Sequence, residues 1–399
     1  MSQELYNDDV VTKDDDDDVV LENQEIIEDI DKFDPTTIVV YSRDWTIETI
    51  FSQLTNANID LNPAYQRRNA WTDEKRSKLI ESIIIGYPVP EIVLAEDPLK
   101  KKSFAVIDGK QRLLAIAGFI DPDEYKYWDR PSLGNLTVNE HLNGVSYRDL
   151  MEQAKYSGEL RQFLNSSLRC TIITNFEKND VLYDIFYRLN SGSVSLSTQE
   201  LRQVLNRGEF ANYLIEVTNS IQPIHSVMNL KEPDRRLRDV EVILRCIAII
   251  MFTADYKGNL KQFLDSSMAK ITKDWAVSQR PVEGIYSDMN QAIGILAESL
   301  GGYLKVGRKW TVDKWESRFN RVLLEVQLFF FVNLDPRVAT TDAKERFRDG
   351  FMKLCEDSDF RSSIESTTKT LENYQIRFQK FQALVNSAFE TEIQVQSFR

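Results

Sequence analysis

The sequence has few of the side chains on which common enzyme centres depend. His141 and His225 are the two histidines in 399 residues and lie far apart, so an HNH nuclease centre or a Ser-His-Asp triad is hard to assemble. No G-x-x-x-x-G-K-[ST] motif occurs, which argues against a P-loop enzyme. Any nucleotide bound here must therefore be held by side-chain cations and a helix N-terminus.

Cysteine and long apolar segments are also scarce. The three cysteines, Cys170, Cys246 and Cys355, are widely spaced and form no CxxC pair, so no disulfide framework or zinc site is indicated. The N-terminus lacks a signal-peptide pattern, and the longest apolar run, 322–334, is too short and too interrupted to span a bilayer. These features predict a soluble cytoplasmic protein with no membrane partner.

Glycine and proline are infrequent, whereas aromatic residues are plentiful. The chain holds 15 Gly and 11 Pro beside 21 Phe, 15 Tyr and 6 Trp, and 42% of its residues are hydrophobic. This composition favours a helix-rich globular protein. The length allows two or three domains.

Negative charge is concentrated at the N-terminus. Residues 1–34 contain 14 acidic and 2 basic side chains, hence −12 of the total net charge of −13, which leaves −1 for residues 35–399. We predict a disordered acidic tail over 1–34. The nearly neutral remainder can carry local basic patches.

The hydrophobic pattern predicts an α+β protein. Residues 59–119 alternate strand, helix, strand, turn, strand and helix, with Thr72 as an N-cap and Gly86 as a C-terminal stop. A strand over 168–174 and a helix that opens on the Ser197–Glu200 capping box follow. The predicted organisation is a small mixed α/β domain over 35–206 and a mostly helical domain over 207–399.

The helical half contains several amphipathic segments. The predicted helices are Glu209–Asn219, Arg238–Phe252, Ser287–Leu300, Thr311–Leu334, Thr341–Cys355 and Thr370–Ile393.

The strand-to-helix turn Asp108-Gly-Lys-Gln-Arg112 is the most distinctive stretch. A helix N-terminus favours an anion, and Gly109 lets the backbone approach a phosphate closely. Lys110 and Arg112 add charge-assisted donors, and Asp108 can hold a divalent metal or orient a water. The alternative is an ordinary junction whose charged residues face water.

Three further groups of polar residues could converge on this turn. Gln66 and Arg67 supply planar donors, and Asn190 with Gly192 forms a small polar turn suited to a phosphate or ribose. Glu200 has the position of a capping residue. Trp71, which follows Gln66 and Arg67, could instead have a structural role in supporting the next helix, and the turn at Asn190 and Gly192 could be a plain helix–helix connector.

Together these segments resemble the GmrSD restriction-endonuclease N-terminal domain family, which is related in fold to ParB and sulfiredoxin. The matching stretches are Pro63–Arg67 with Trp71, Leu79–Ser82 with Gly86–Pro90, Val106–Leu113, Phe186–Gly192, Leu196–Arg202 and Asp234–Arg245. Their order along residues 45–250 matches that of the family.

The resemblance implies binding and hydrolysis of a nucleoside triphosphate (NTP), with Mg²⁺, at the Asp-Gly-Gln-Gln-Arg turn of the family. In such systems this activity is coupled to a nuclease that acts on modified or foreign DNA. Carried over to this chain, Asp108, Gln111 and Arg112 are the expected catalytic residues, and Asp108 is the expected metal ligand. The expected nucleotide-binding residues are Gln66, Arg67, Gly109, Lys110, Asn190 and Gly192.

The chain departs from the family pattern in two respects. Lys110 replaces the usual Gln and adds a cation. The HNH nuclease half that often accompanies this domain has no counterpart, which predicts a separate nuclease subunit or a protein that does not cut DNA. Sulfiredoxin chemistry requires a cysteine in the turn, and none is present.

Two functions follow from the sequence. The first is an NTP-binding and NTP-hydrolysing regulatory or sensor protein of a DNA restriction or phage-defence system. The sequence is compatible with an oligomer of this protein. The second is a non-catalytic DNA-binding or protein-interaction module with an anion site at the turn. Its basic contacts would come from Arg67, Arg68, Lys75, Arg76, Lys78, 100–102 and 235–238.

Overall fold

The computed structural model describes residues 38–61, 71–98, 100–176, 180–189, 197–234, 236–365 and 370–395. The predicted acidic tail over 1–34 lies outside these residues. The described chain forms two compact units. The first contains the described residues up to Arg207 and the segment Asp234–Leu237, and the second contains Gly208–Pro233 and the residues from Arg238 onward.

A five-stranded mixed sheet organises the first unit. Its strands are β1 (Val39–Thr46), β2 (Ile59–Asp60), β3 (Ile92–Glu96), β4 (Phe104–Asp108) and β5 (Ser167–Thr174), in the order β1-β5-β3-β4-β2. The β1–β5 and β3–β4 pairs are antiparallel, whereas β3–β5 and β2–β4 are parallel. Because β2 runs parallel to β4, the carboxyl ends of these two strands lie at the same end of the sheet.

Helices cover the sheet and bury its apolar side chains. They are α1 (Ile47–Thr55), α2 (Asp73–Ile85), α3 (Lys110–Ile120), α4 (Tyr147–Glu152), α5 (Ser157–Asn165), α6 (Asp180–Leu189) and α7 (Thr198–Leu205). Ile92, Leu94, Phe104 and Val106 join one core with α1–α5, as the alternation of strand side chains requires. Helices α6 and α7 pack against β4.

The helix-end signals in the sequence are confirmed. The Thr72 hydroxyl accepts from the Lys75 amide, and Gly86 ends α2 in the left-handed conformation. Ser197 and Glu200 form the expected capping box of α7. Each interaction satisfies backbone groups that a helix end leaves without partners, so local sequence sets these boundaries.

The second unit is almost entirely helical, and the α+β class is confirmed. Its helices are α8 (Glu209–Val217), α9 (Pro223–Val227), α10 (Arg238–Phe252), α11 (Leu260–Lys273), α12 (Trp275–Leu300), α13 (Arg321–Val332), α14 (Thr341–Glu356), α15 (Ser358–Glu365) and α16 (Leu371–Phe389). A short hairpin joins β6 (Trp310–Thr311) to β7 (Lys314–Trp315). No helix in the described part of the chain has the length and apolar character needed to cross a membrane.

Three predicted helices of this unit have wrong boundaries. The one predicted over Thr370–Ile393 ends at Phe389, where Glu390 adopts the left-handed conformation. The segment from Thr311 to Asn320 forms a hairpin and a loop, and α13 begins at Arg321, where Asn320 caps it. Helix α12 begins at Trp275, well before the predicted start at Ser287, and contains Pro281. A proline inside a helix removes a backbone donor and usually indicates a break, which is why the sequence pattern placed the start too late.

A network of buried charges links α10 to α13. Arg245 donates to Glu241 at 2.7 Å and to Glu325 at 2.9 Å, and all three side chains are buried. Arg321 lies 3.7 Å from Glu241. A charge this deeply buried is stable only while its partners are in place.

Arg245→Met should therefore destabilise the protein by about 3–5 kcal/mol, because it leaves two buried carboxylates without their central cation. Urea unfolding of the full chain measures this loss. Arg148→Met is the matched control, since Arg148 pairs with Glu152 on the surface of the first unit, and it should leave the midpoint unchanged. Equal effects of the two variants would contradict the role of the buried network.

Candidate functional site

The Asp108–Arg112 turn connects the end of β4 directly to α3. Gly109 is the N-cap of α3 with φ +91° and, as a glycine, provides no side-chain cap to the first turn. A Cβ at this position would lie 2.5 Å from Ile92 Cδ1 and 3.2 Å from Arg112 Nη2. Glycine is thus required here both for the left-handed conformation and for the close approach of its neighbours.

A register shift in the β3–β4 pair determines the position of Asp108 at the carboxyl end of β4. The β3–β4 register shifts between Val93 and Leu94, so Val93 pairs with Asp108 whereas Leu94 pairs with Val106. A bulge of this kind ends regular pairing and redirects side chains. The carboxylate of Asp108 remains 35% exposed, so it can act at the surface of the turn.

Two hydrogen-bond acceptors hold the Arg112 guanidinium against the turn. Its Nη2 atom donates to Asp108 Oδ2 at 2.7 Å and to the Glu91 carbonyl at 2.9 Å. Arg112 Nε is buried and has no hydrogen-bond partner among the described residues. A guanidinium fixed through one nitrogen keeps its other donors in a defined orientation.

Gln111 has a similarly unsatisfied atom. Its side-chain Oε1 is buried and accepts no hydrogen bond from any described residue. Buried polar atoms are nearly always paired in folded proteins. The first turn of α3 thus contains a buried acceptor and a buried donor, on consecutive residues, that a bound ligand could satisfy.

Lys110 points into the protein. The residue is buried, and burial lowers its pKa to about 8, although the carboxylates of Glu200 and Asp60 counteract part of this effect. The Lys110 ammonium group therefore lies inside the protein, next to the turn, and adds positive charge there.

Glu200 links α7 to the same region. Its carboxylate accepts from the Ser197 amide at 2.5 Å, which confirms the predicted capping role. Burial raises its pKa, and the charge of Lys110 opposes that shift. The N-terminal ends of α3 and α7 are thus coupled by opposite charges.

Four predicted site residues, Gln66, Arg67, Asn190 and Gly192, lie outside the described residues. The described chain on either side of them is close to the turn. Asp60, at the end of β2, is one of the charges that act on Lys110. Helices α6 and α7, which precede and follow the second segment, both pack against β4.

Three contacts at the site were not predicted from the sequence. The Glu91 side chain accepts from Thr171 on β5 at 2.7 Å, while its carbonyl accepts from Arg112. Asp60 forms an ion pair with Arg207 at 2.9 Å. A backbone carbonyl leaves no sequence signal, and an ion pair between residues this distant in sequence has none that a single chain reveals.

Metal and thiol chemistry are limited by the residues present. Among the described residues, no three His, Cys, Asp or Glu side chains form a group able to hold a metal ion. The carboxylate of Asp108 nevertheless suits Mg²⁺, which protein sites often bind through one or two carboxylates, with water and substrate phosphates completing the shell. Burial raises the pKa of Cys170 to about 12 and that of Cys355 to about 11, so these thiols stay protonated.

Comparison with known proteins identifies one family. Residues 47–205 match the model of the GmrSD restriction endonuclease, N-terminal domain. The match begins at α1, just after β1, includes β2–β5, the turn and α7, and ends before the helical unit. No curated protein and no solved structure matches the chain.

Gly109→Ala should destabilise the chain by roughly 2–4 kcal/mol, because it combines left-handed strain with a clash against Ile92. Gly86→Ala provides the control, since Gly86 has φ +82° and no atom lies within 4 Å of the position that a Cβ would occupy; it should cost only about 1 kcal/mol. The measurement is urea unfolding of the two variants. A similar loss in both would mean that the close packing around Gly109 contributes nothing.

Proposed function

We propose that the chain binds and hydrolyses a nucleoside triphosphate within a DNA restriction or phage-defence system, because residues 47–205 match the GmrSD restriction-endonuclease N-terminal domain family. The observation that carries this proposal is the first turn of α3, where the N-cap residue Gly109 has no side chain to cap the helix and the buried Arg112 Nε has no hydrogen-bond partner among the described residues. The described residues offer no histidine-based nuclease centre, so the proposal assigns no DNA cleavage to them.

The electrostatics of the turn suit a polyphosphate. Backbone N–H groups at the start of α3 carry the positive end of the helix dipole. Arg112 adds a guanidinium that is fixed by Asp108 and Glu91, and Lys110 adds a second cation below the surface. Such an array stabilises the negative charge that develops on phosphate oxygens during transfer to water.

The remaining residues of the turn have distinct roles in this proposal. Asp108 would hold Mg²⁺ together with the phosphates, and the ion would neutralise charge on them. Gln111, whose Oε1 accepts no hydrogen bond from the described residues, would orient a polar group at the first turn of α3. Gln66, Arg67, Asn190 and Gly192 would complete the nucleotide site and remain predictions.

The structure weakens the alternative of a purely DNA-binding module. Arg76, one of its expected phosphate contacts, is buried and donates to Asp73 and to the Trp71 carbonyl. Lys78 is paired with Glu74 at 2.6 Å. Cations engaged within the fold contribute little to the salt-dependent binding that contact with DNA phosphates produces.

Arg112→Ala should weaken nucleotide binding by roughly 1.5–3 kcal/mol, because it removes a charge-assisted donor to phosphate. Calorimetry with each of the four NTPs, with and without Mg²⁺, measures the effect. Arg161→Ala is the control, since Arg161 is exposed on α5. Unchanged affinity in Arg112→Ala would remove this residue from the site.

Asp108→Ala should lower NTP turnover at least about 100-fold, because Arg112 loses its anchor and Mg²⁺ loses its protein ligand. Release of phosphate under saturating nucleotide and Mg²⁺ is the readout. Asp123→Ala, which changes an exposed carboxylate of the same unit, should retain full activity. Full turnover by Asp108→Ala would exclude the proposed role.

Nucleotide affinity should fall as pH rises past about 8. Lys110 is protonated below its lowered pKa and attracts phosphate there, and it loses this charge above that pKa. Nucleotide affinity measured between pH 6.5 and 9.5 should show this decline in wild type. Lys110→Met should bind the nucleotide more weakly and should not show the decline. An identical pH profile in the variant would show that Lys110 does not contribute.

A further inference from the structure

The helical unit contains a cavity of ≈ 660 Å³ between α8 and the first half of α12. Its volume lies in the range of ligand-binding sites. The lining residues of α8 recur at helical spacing, from Glu209 through Tyr213 to Glu216, so one face of this helix forms a wall. The cavity lies entirely within one unit and outside the segment that matches the GmrSD domain.

Three aromatic rings form the apolar part of the cavity. The ring centroids of Tyr213 and Trp275 are 5.5 Å apart, and Tyr213 meets Tyr286 at 6.3 Å with the ring planes at 84°. Tyr286 is held in place by donating to the Val217 carbonyl at 3.1 Å. Tyrosine and tryptophan faces attract cations, and the rings of Tyr213 and Tyr286 are only partly buried, so solvent and a ligand can reach them.

The polar part of the cavity is acidic. Glu209, Glu216 and Glu283 line it, and no Lys, Arg or His does so. None of these carboxylates forms an ion pair with a residue in the described part of the chain, although Glu283 accepts from Gln279 at 2.9 Å. Burial raises the pKa of Tyr213, and the neighbouring Tyr286, Glu283 and Glu216 side chains raise it further.

We propose that this cavity binds a basic segment of a partner protein, with lysine or arginine side chains inserted between the aromatic rings and the carboxylates. Carboxylates lie on both walls, and Glu209 and Glu216 are two helical turns apart, about 10 Å along α8. One compact ammonium cannot contact all of them. A segment that carries several cationic side chains can, and charge complementarity of this kind selects a partner.

Binding of a labelled peptide to the full chain tests the proposal. The probe is a peptide of alternating lysine and glycine, and fluorescence anisotropy reports its affinity; the corresponding glutamate peptide and free spermidine are run beside it. Glu216→Gln/Glu283→Gln should weaken binding of the lysine peptide by about tenfold. Asp288→Asn/Glu298→Gln, which removes two exposed charges of α12 outside the cavity, should leave it unchanged.

The aromatic contribution is tested at Tyr213. Tyr213→Phe keeps the ring and should bind the peptide as wild type does, whereas Tyr213→Leu should lose affinity by about tenfold. Unfolding midpoints establish that both variants are folded. Equal losses of affinity for the lysine peptide in the two double charge variants would show that binding depends only on the overall negative charge of the chain, and would overturn the proposal. Spermidine binding as tightly as the lysine peptide would also overturn it.

Discussion

The site depends on the contact between Arg112 and the backbone before α3. The guanidinium reaches Asp108 and the Glu91 carbonyl because Gly109, which separates strand from helix, has no Cβ in its path. Any larger residue would move Arg112 or Ile92. One glycine thereby fixes the direction of the helix, the position of the cation and the accessibility of the first-turn amides.

A second constraint acts beneath the turn. Lys110 is buried and Glu200 is half-buried, and each pKa is shifted against the charged form by burial and toward it by the other residue. Separating such groups would leave a charge inside the protein without compensation. The starts of α3 and α7 are therefore held together electrostatically, and the segment before α7, which contains Asn190 and Gly192, begins and ends on elements that pack against β4.

Local signals explain which parts of the fold could be predicted. The caps at Thr72, Gly86 and Ser197 involve residues within one helical turn, so a single sequence contains all the information. Helix α12 shows the opposite case, because a proline that the folded helix accommodates looks like a break in the sequence. Segment 311–320 likewise has helix-compatible residues, yet Trp310 and Trp315 meet across a hairpin with ring centroids 5.6 Å apart.

The chemistry of the site was less predictable than its location. The turn could be identified because its residues are consecutive, but its environment comes from distant positions. Asp60 and Arg207, which form an ion pair, lie near opposite ends of the sequence of the first unit. The burial of Lys110 depends on how β2 and α7 pack around it. The sequence indicated a phosphate donor at position 110 but not its burial, whereas the fold places Lys110 inside the protein with a lowered pKa.

Each unit, taken by itself, has its own charge preference. The turn of the first unit gathers Lys110, Arg112 and a helix N-terminus, which favour an anion. The cavity of the second unit gathers three carboxylates around aromatic rings, which favour a cation. The overall charge of −13 predicts neither site, because binding responds to the local field within about a Debye length, roughly 8–10 Å at physiological salt. A chain this acidic can therefore hold a polyphosphate at one place and a basic segment at another.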